Sequence, residues 1–168
     1  FHRELQVSAR LSEYNHHIIR VYDDFGEDKD LGHYYVMEYL RGISVKEKLT
    51  LDEGLPLPLA FHVFRQLCDV MGVVHRASIV HRDLKPENIF LTHRDSDDYF
   101  VKIIDFGLAR LTDSDSEQNL TKGPIGTPAY MSPEQCRRDT IEAPSDIYSM
   151  GVVLYEMLTG VDPYGLTH

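Results

Sequence analysis

Three short motifs stand in a fixed order in the chain, and they constrain its fold more than any other feature. They are His81-Arg82-Asp83-Leu84-Lys85-Pro86-Glu87-Asn88, then Asp105-Phe106-Gly107, then Gly126-Thr127-Pro128-Ala129-Tyr130-Met131-Ser132-Pro133-Glu134. Two apolar segments, 89–92 and 99–104, separate the first motif from the second and predict a pair of strands around a polar loop at 92–98. Each motif alone is a weak signal, but three in series predict one shared site.

The spacing of apolar residues predicts the elements around these motifs. Strands are expected at 18–25 and 34–39, with a turn at 26–30 between them. A helix is expected over 58–75, because its apolar residues recur at spacings of three and four. Helices dominate after residue 55 and strands dominate before it, so the sequence predicts an α+β fold in two unequal parts.

The last predicted helix, 145–159, is expected to support the core. Its apolar residues cover most of its circumference, which predicts burial on more than one side. Asp146 near its start and Gly160 just past its end fit the preferences of helix caps. A weaker amphipathic pattern predicts a helix at 1–12, and Cys68, on the apolar stripe of 58–75, is expected in the core.

Composition limits the classes of function. The chain has 27 Asp+Glu against 17 Lys+Arg, and this net charge of −10 argues against nucleic acid as the main partner. No stretch approaches 18 consecutive apolar residues, so no membrane segment is expected within the chain. A cytoplasmic location is expected for this part of the protein, and a membrane anchor outside the chain stays open. The histidines and cysteines show no zinc-binding spacing. The acidic run at 112–119 has no apolar face and predicts an exposed loop.

Taken together, the three motifs resemble the catalytic loop, the metal-binding triplet and the end of the activation segment of protein kinases. The resemblance covers nearly the whole chain. It implies a bilobal kinase fold, with a mostly helical large lobe at 41–168 and a remnant of the small β-rich lobe, helix C and the last strands, at 1–40. It also implies transfer of the γ-phosphoryl group of ATP, with Mg²⁺, to Ser or Thr residues of a protein substrate.

The resemblance assigns roles to four residues of the first two motifs. Asp83 would accept the proton of the substrate hydroxyl and orient that oxygen for in-line attack. Lys85, two residues further on, would offset the charge of the transferring phosphoryl group. Asn88 and Asp105 would supply the oxygen ligands that Mg²⁺ prefers. These catalytic and metal-binding residues are expected to meet in one cleft.

The resemblance also implies a nucleotide-binding edge. Met37 would guard the back of the adenine pocket, and the Glu38 carbonyl and the Leu40 amide would meet the adenine edge. Phe90 would pack beneath the ring, although a core position on a strand is the competing interpretation. Glu4 resembles the helix glutamate that pairs with the ATP-binding lysine of similar kinases, and an exposed helix carboxylate is the alternative.

The third motif implies a serine/threonine subclass and a regulated segment. Lys85, together with Gly126-Thr127-Pro128, resembles the pattern of Ser/Thr kinases, and Thr127 would hydrogen-bond near Asp83 and Lys85, with a plain turn threonine as the alternative. Arg82 would pair with a phosphate on the activation segment. The candidate phosphorylated residues are Thr121, Ser114 and Ser116, and Thr121 is favoured because the acidic run at 113–117 would repel a phosphate added within it. An unmodified loop remains the alternative.

Several family features are absent from the sequence. The Gly-rich loop and the strand with the ATP-binding lysine would precede Phe1, so we expect the chain to be a piece of a longer kinase and inactive by itself. Ser132-Pro133-Glu134, followed by Gln135, resembles bacterial members. Two other functions stay open. One is a non-catalytic kinase-like binding module, and the other is a small-molecule phosphotransferase of related fold, which would lack the long peptide-holding segment ending at Glu134.

Overall fold

The computed structural model describes residues 11–13, 15–28, 32–105 and 128–165. Within these residues the chain forms two antiparallel sheets and a set of helices, and residues 11–13 are helical. In chain order the elements are β1 (Val21–Asp28), β2 (Gly32–Met37), β3 (Gly42–Ser44), α1 (Val45–Asp52), α2 (Leu57–Arg76), β4 (Ile89–Arg94), β5 (Asp97–Ile103), α3 (Pro133–Arg137) and α4 (Ala143–Thr159). The predicted helix at 1–12 and the acidic run at 112–119 lie mostly or wholly outside the described residues.

Strands β1 and β2 pair in the first sheet, with Val21 opposite Met37 and Gly26 opposite Tyr34. Both strands were expected, but β1 continues through the first residues of the turn predicted at 26–30, so that turn is wrong in position. The reason lies in a close cross-strand contact. A Cβ at Gly26 would lie 3.0 Å from the Tyr34 hydroxyl oxygen, so this glycine makes room inside a strand rather than marking a turn.

The second sheet has the order β3-β4-β5. The two strands predicted at 89–92 and 99–104 are confirmed, but they run further than expected, and the predicted loop shrinks to a tight turn in which Asp95 has a φ of 54°. The sequence predicts no strand at β3. Gly42 pairs with Thr92, and a Cβ there would lie 2.0 Å from the Leu91 carbonyl oxygen, so only glycine allows this approach.

Helix α1 is also absent from the sequence-based expectations, although its start carries a recognisable signal. The Ser44 hydroxyl accepts a hydrogen bond from the Glu47 amide at 3.1 Å, and the Glu47 carboxylate accepts one from the Ser44 amide at 2.7 Å. This reciprocal pair is a capping box, which the Ser-x-x-Glu spacing specifies. The helix follows β3 directly and packs against the turn at Pro86–Asn88.

Helix α2 confirms the helix predicted over 58–75 to within one residue at each end. Its inward residues recur at helical spacing and are Ala60, Val63, Gln66, Leu67, Val70, Met71 and Val74. Cys68 is exposed, so its predicted core position is wrong. It follows Leu67, and a step of one residue turns a side chain by about 100° on a helix, off the buried face. Among the described residues, α2 is the one helix long and apolar enough to cross a membrane, but its apolar face packs in the core of the fold.

Helix α4 confirms the helix predicted over 145–159, but its burial differs from the prediction. The predicted burial around most of its circumference is wrong, because Ile147, Tyr155 and Leu158 are exposed. Its buried face instead carries polar residues beside the apolar ones, and they are Ser145, Asp146, Ser149 and Glu156. The N-cap is Glu142, so Asp146 is not a cap. Gly160 follows the helix with a φ of 76°, as a C-terminal glycine should.

Candidate active site

A buried carboxylate on α4 anchors the segment that carries the first motif. Asp146 is 1% exposed, and its two oxygens accept hydrogen bonds from the backbone amides of His81 and Arg82, both at 2.9 Å. The His75 Nε2 donates a further hydrogen bond to Asp146 at 2.8 Å. Arg82 has a φ of 70°, a left-handed conformation that is costly for a non-glycine residue. The charge-assisted hydrogen bonds that Asp146 accepts hold the loop in this conformation.

His81 connects the first motif to the second. Its ring is fully buried, its Nε2 donates to the Ile104 carbonyl at 3.1 Å, and its Nδ1 accepts from the Asp83 amide at 3.3 Å. These contacts assign the neutral Nε2–H tautomer. Burial lowers the pKa of His81, although the carboxylates of Asp146, Asp83 and Asp105 all act to raise it. The carboxylates at 83 and 105 therefore both lie in the neighbourhood of this ring.

Three predicted catalytic residues contact one another in the loop. The Asn88 amide nitrogen donates to the Asp83 backbone carbonyl at 2.8 Å and to its carboxylate at 3.1 Å. The Lys85 ammonium lies 3.1 Å from the same carboxylate oxygen. Leu84, between Asp83 and Lys85 in sequence, is buried in the hydrophobic core and anchors the loop there, and the turn at Pro86–Asn88 brings Asn88 back towards Asp83. The arrangement places a carboxylate, an ammonium group and an amide within one hydrogen-bonded group.

Asp105 follows β5 and sits beside this group. The amide of the preceding residue, Ile104, donates to the Asn88 backbone carbonyl at 3.0 Å, which ties the end of β5 to the loop. Asp105 itself has a φ of 55°, again left-handed. Its carboxylate accepts a hydrogen bond at 3.1 Å from the hydroxyl of Tyr35 on β2. Burial, together with this carboxylate, raises the pKa of Tyr35 to about 12.

The residues predicted for the nucleotide edge lie along the segment that follows β2. The Glu38 amide donates to the Arg20 carbonyl at 2.8 Å, and the Glu38 side chain accepts from the Arg20 amide and forms a close ion pair with Lys102. Within the described part of the chain, the Glu38 carbonyl and the Leu40 amide make no hydrogen bond, so both can meet a ligand. Met37 is exposed at the end of β2, and Phe90 is half-buried on β4.

The segment from 128 to 137 returns to the same loop from the other side. Ser132 caps α3 in a second capping box with Gln135. The Gln135 side-chain amide then donates to the Arg82 backbone carbonyl at 2.6 Å, which joins the third motif to the first. The Ser145 hydroxyl donates to Glu134 at 2.5 Å, and this hydrogen bond lowers the pKa of Glu134.

A cluster of ionic and polar side chains around a buried glutamate contacts this segment. Glu156 is 1% exposed and accepts hydrogen bonds from the Tyr130 hydroxyl at 2.5 Å and from the Lys46 ammonium at 2.9 Å. Burial, with the Glu156 hydrogen bond and charge, raises the pKa of Tyr130. The cluster links α1, α4 and the turn at Pro128–Tyr130.

The structure brings some predicted site residues together and leaves others outside its described part. Asp83, Lys85 and Asn88 are in mutual contact, and Asp105 is joined to them through the backbone. Glu4, Thr121 and Thr127 lie outside the described residues. The Arg82 side chain is exposed, as a phosphate-binding arginine would be.

Sequence reasoning missed three residues that shape the site: Asp146, Gln135 and Tyr35. Asp146 carried a signal, since a carboxylate on the same helical stripe as Met150, Val153 and Met157 must be buried and therefore paired. Gln135 carried the capping-box spacing with Ser132, but that spacing does not reveal its bond to Arg82. Nothing in the sequence around Tyr35 indicates its hydrogen-bond partner, because that contact depends on how β2 packs against the end of β5.

A family model described as the protein kinase domain matches residues 1–168 of the chain. The chain therefore belongs to the protein kinase family, and the expected kinase fold is confirmed. The PknI kinase domain of Mycobacterium tuberculosis has the same fold, with a TM-score of 0.74 and 24% identity over 97% of this chain and 56% of that one.

The chain is similar in sequence to bacterial serine/threonine-protein kinases. It is 37% identical to pkn3 of Myxococcus xanthus over 98% of its own length and 30% of that protein. It is 38% identical to PknB of Mycobacterium leprae over 98% of its length and 26% of that protein. It is 39% identical to serine/threonine-protein kinase A of Synechocystis over 97% of its length and 32% of that protein. The chain thus spans about a third or less of the length of these relatives.

Proposed function

We propose that this chain carries out ATP-dependent phosphorylation of Ser and Thr residues on proteins, as part of a kinase catalytic domain. The observation that carries the proposal is the hydrogen-bonded group of Asp83, Lys85 and Asn88, joined to Asp105 through the amide of the preceding residue, Ile104. Phosphoryl transfer asks the protein for positioning and charge neutralisation, and this group has the residues for both. The names of the bacterial relatives support the Ser/Thr subclass.

Asp83 is the proposed base. Its Oδ2 accepts from Asn88 and from Lys85, which fixes the plane of the carboxylate and leaves Oδ1 for the substrate hydroxyl. A positioned carboxylate of this kind contributes about 10²- to 10⁴-fold to the rate in general base catalysis. The Lys85 ammonium is partly exposed beside it and would face the phosphoryl group as it transfers.

The oxygens at the site fit a magnesium ion. The Asn88 amide nitrogen is used in bonds to Asp83, so the Asn88 side-chain oxygen remains for a metal, and Asp105 has one carboxylate oxygen beyond the one bonded to Tyr35. Mg²⁺ is usually held by one or two protein ligands plus phosphate oxygens and water, so this donor set suffices. When bound, Mg²⁺ supplies neutralisation of the charge on the ATP phosphates.

The nucleotide and regulatory assignments are proposals of the same kind. The Glu38 carbonyl and the Leu40 amide would hold the adenine edge, with Met37 behind the ring and Phe90 beneath it. Glu4 would pair with the ATP-binding lysine.

Thr127 would tie the substrate-binding segment to Asp83 and Lys85, and Arg82 would pair with phosphorylated Thr121. We further propose a small lobe at 1–40 and a large lobe at 41–168. Because the reaction consumes ATP, this part of the protein would act in the cytoplasm.

Phosphotransfer from γ-labelled ATP to a Ser/Thr-containing protein, followed by phosphoamino-acid analysis, tests this function. The assay uses the natural protein that carries the chain, with Mg²⁺ present. We expect phosphoserine or phosphothreonine, a fall of at least about 10²-fold in the Asp83→Asn variant, and no change in Asp95→Asn, whose side chain is exposed. Binding of Mg²⁺·ATP without any transfer would instead favour a non-catalytic binding module. Transfer only to a small molecule would favour the related phosphotransferase.

A further inference from the structure

Tyr35 makes a side-chain contact that the reaction described above does not use. It lies on β2, in a small cluster with Ile19, Val21, Leu40 and Ile104, on the sheet that leads to the proposed nucleotide edge. Its hydroxyl donates to the Asp105 Oδ1 at 3.1 Å. The contact therefore joins two parts of the chain that lie 70 residues apart, the strand before the nucleotide edge and the proposed metal ligand.

Asp105 needs such a restraint because its backbone is strained. A φ of 55° places it in the left-handed region, where a non-glycine residue persists only if its surroundings fix it. The backbone before it is held by the Ile104 amide, which donates to the Asn88 carbonyl. Among the described residues, the Tyr35 hydroxyl is the group that hydrogen-bonds the Asp105 side chain.

We propose that Tyr35 is a positioning residue that orients Asp105 for metal binding. By occupying Oδ1, the phenol restricts the rotation of the carboxylate and leaves Oδ2 as the oxygen available to the metal. The inference rests on the proposed kinase function, because it concerns the Mg²⁺ of that reaction. Tyr35 contributes through Asp105 alone, so its effect disappears when Asp105 can no longer act as a charged ligand.

The chain offers a matched control on the same strand. Tyr34 is the neighbouring residue, so its side chain points to the opposite face of β2, where it packs over Gly26. Tyr34→Phe also removes a tyrosine hydroxyl from β2, but it leaves the hydrogen bond to Asp105 in place. Any effect on strand stability that is common to tyrosine hydroxyls in β2 would appear in both variants.

Nucleotide affinity with and without metal tests the proposal. A fluorescent N-methylanthraniloyl ADP is titrated into the natural protein, first with Mg²⁺ and then with EDTA. For Tyr35→Phe we expect the dissociation constant in Mg²⁺ to rise about three- to tenfold, the size of one hydrogen bond, and the constant in EDTA to stay unchanged. Tyr34→Phe should match the wild type in both. Equal constants for Tyr35→Phe and wild type in Mg²⁺, or equal shifts in both tyrosine variants, overturn the proposal.

A second variant separates positioning from general packing. In an Asp105→Asn background, adding Tyr35→Phe should change the Mg²⁺-dependent affinity by less than about twofold. A further loss as large as in the wild-type background would mean that Tyr35 acts elsewhere. In turnover, Tyr35→Phe should raise the Mg²⁺ concentration needed for half-maximal rate and largely retain kcat. If the wild type itself shows no Mg²⁺-dependent binding and no phosphotransfer, the proposed function fails; if only the Tyr35 comparison fails, only this inference does.

Discussion

Replacing Asp146 with asparagine should loosen the loop that carries His81 and Arg82 without changing the volume of the core. Asp146 Oδ2 accepts from His81 and His75, and Oδ1 accepts from the Arg82 amide. An asparagine can keep its single oxygen at the position with two donors. Its NH₂ group then faces the Arg82 N–H, and that backbone donor loses its acceptor in a half-buried place.

The size of the effect follows from that one lost acceptor. An unsatisfied buried donor costs about 1–3 kcal/mol. At about 1.4 kcal/mol per factor of ten, this corresponds to about 5- to 150-fold faster hydrogen exchange at the Arg82 amide, if the amide exchanges by local opening. Turnover should fall as well, because Asp83 follows Arg82 directly and its position depends on the same loop.

Hydrogen exchange at single-residue resolution measures this effect in the natural protein, together with the denaturant midpoint. Asp139→Asn is the control, because Asp139 makes an exposed pair with Arg137 and its replacement should change stability by less than about 0.5 kcal/mol. Normal protection of Arg82 in Asp146→Asn, with stability equal to that of the control, would refute the idea that this carboxylate holds the loop.

Two further predictions concern buried ionisable groups. Lys46→Met leaves the buried Glu156 without its cation and should lower the free energy of unfolding by about 1–3 kcal/mol, less than a fully buried pair because Lys46 is partly exposed. The matched Lys48→Met breaks an i,i+4 pair whose carboxylate, on Asp52, is one-third exposed rather than buried, so it should cost under about 0.5 kcal/mol, and equal costs would contradict the reasoning. Burial lowers the pKa of His17 below its ordinary 6.5, so the unfolded chain binds more protons and stability is lost as pH falls below 6.5. His17→Gln should make the acid side of the stability curve shallower, and parallel curves for His17→Gln and wild type would exclude this origin.

Much of the fold was readable from local patterns. Helix α2 was located to within one residue, because its apolar residues repeat regularly over twenty positions and Pro56 marks its start. The β4–β5 hairpin was predicted because two apolar segments lie on either side of a short polar loop. Strand β3 was not predicted, because three residues are too few to show an alternating pattern. Helix α1 was not predicted because its apolar stripe is weak, although the capping box at Ser44 marks its start clearly.

The sequence predicted which residues form the site and their order along the chain, but it did not predict the contacts between distant segments. The motif spacing places Asp83, Lys85 and Asn88 in one loop, and the structure has them in contact. By contrast, Asp146 was interpreted as a cap, because its position near a helix start fits that role equally well. The backbone amides that it binds lie 64 and 65 residues away along the chain, and contacts between such distant residues depend on tertiary packing rather than on local sequence.

A crystal structure of the natural protein with Mn²⁺ in place of Mg²⁺ and a non-hydrolysable ATP analogue tests the central claim most directly. The account predicts an anomalous peak about 2.1 Å from the Asn88 side-chain oxygen and from a carboxylate oxygen of Asp105, with the γ-phosphate facing Asp83. A metal bound away from these residues, or carboxylates of Asp83 and Asp105 that face different surfaces in the complex, would contradict it.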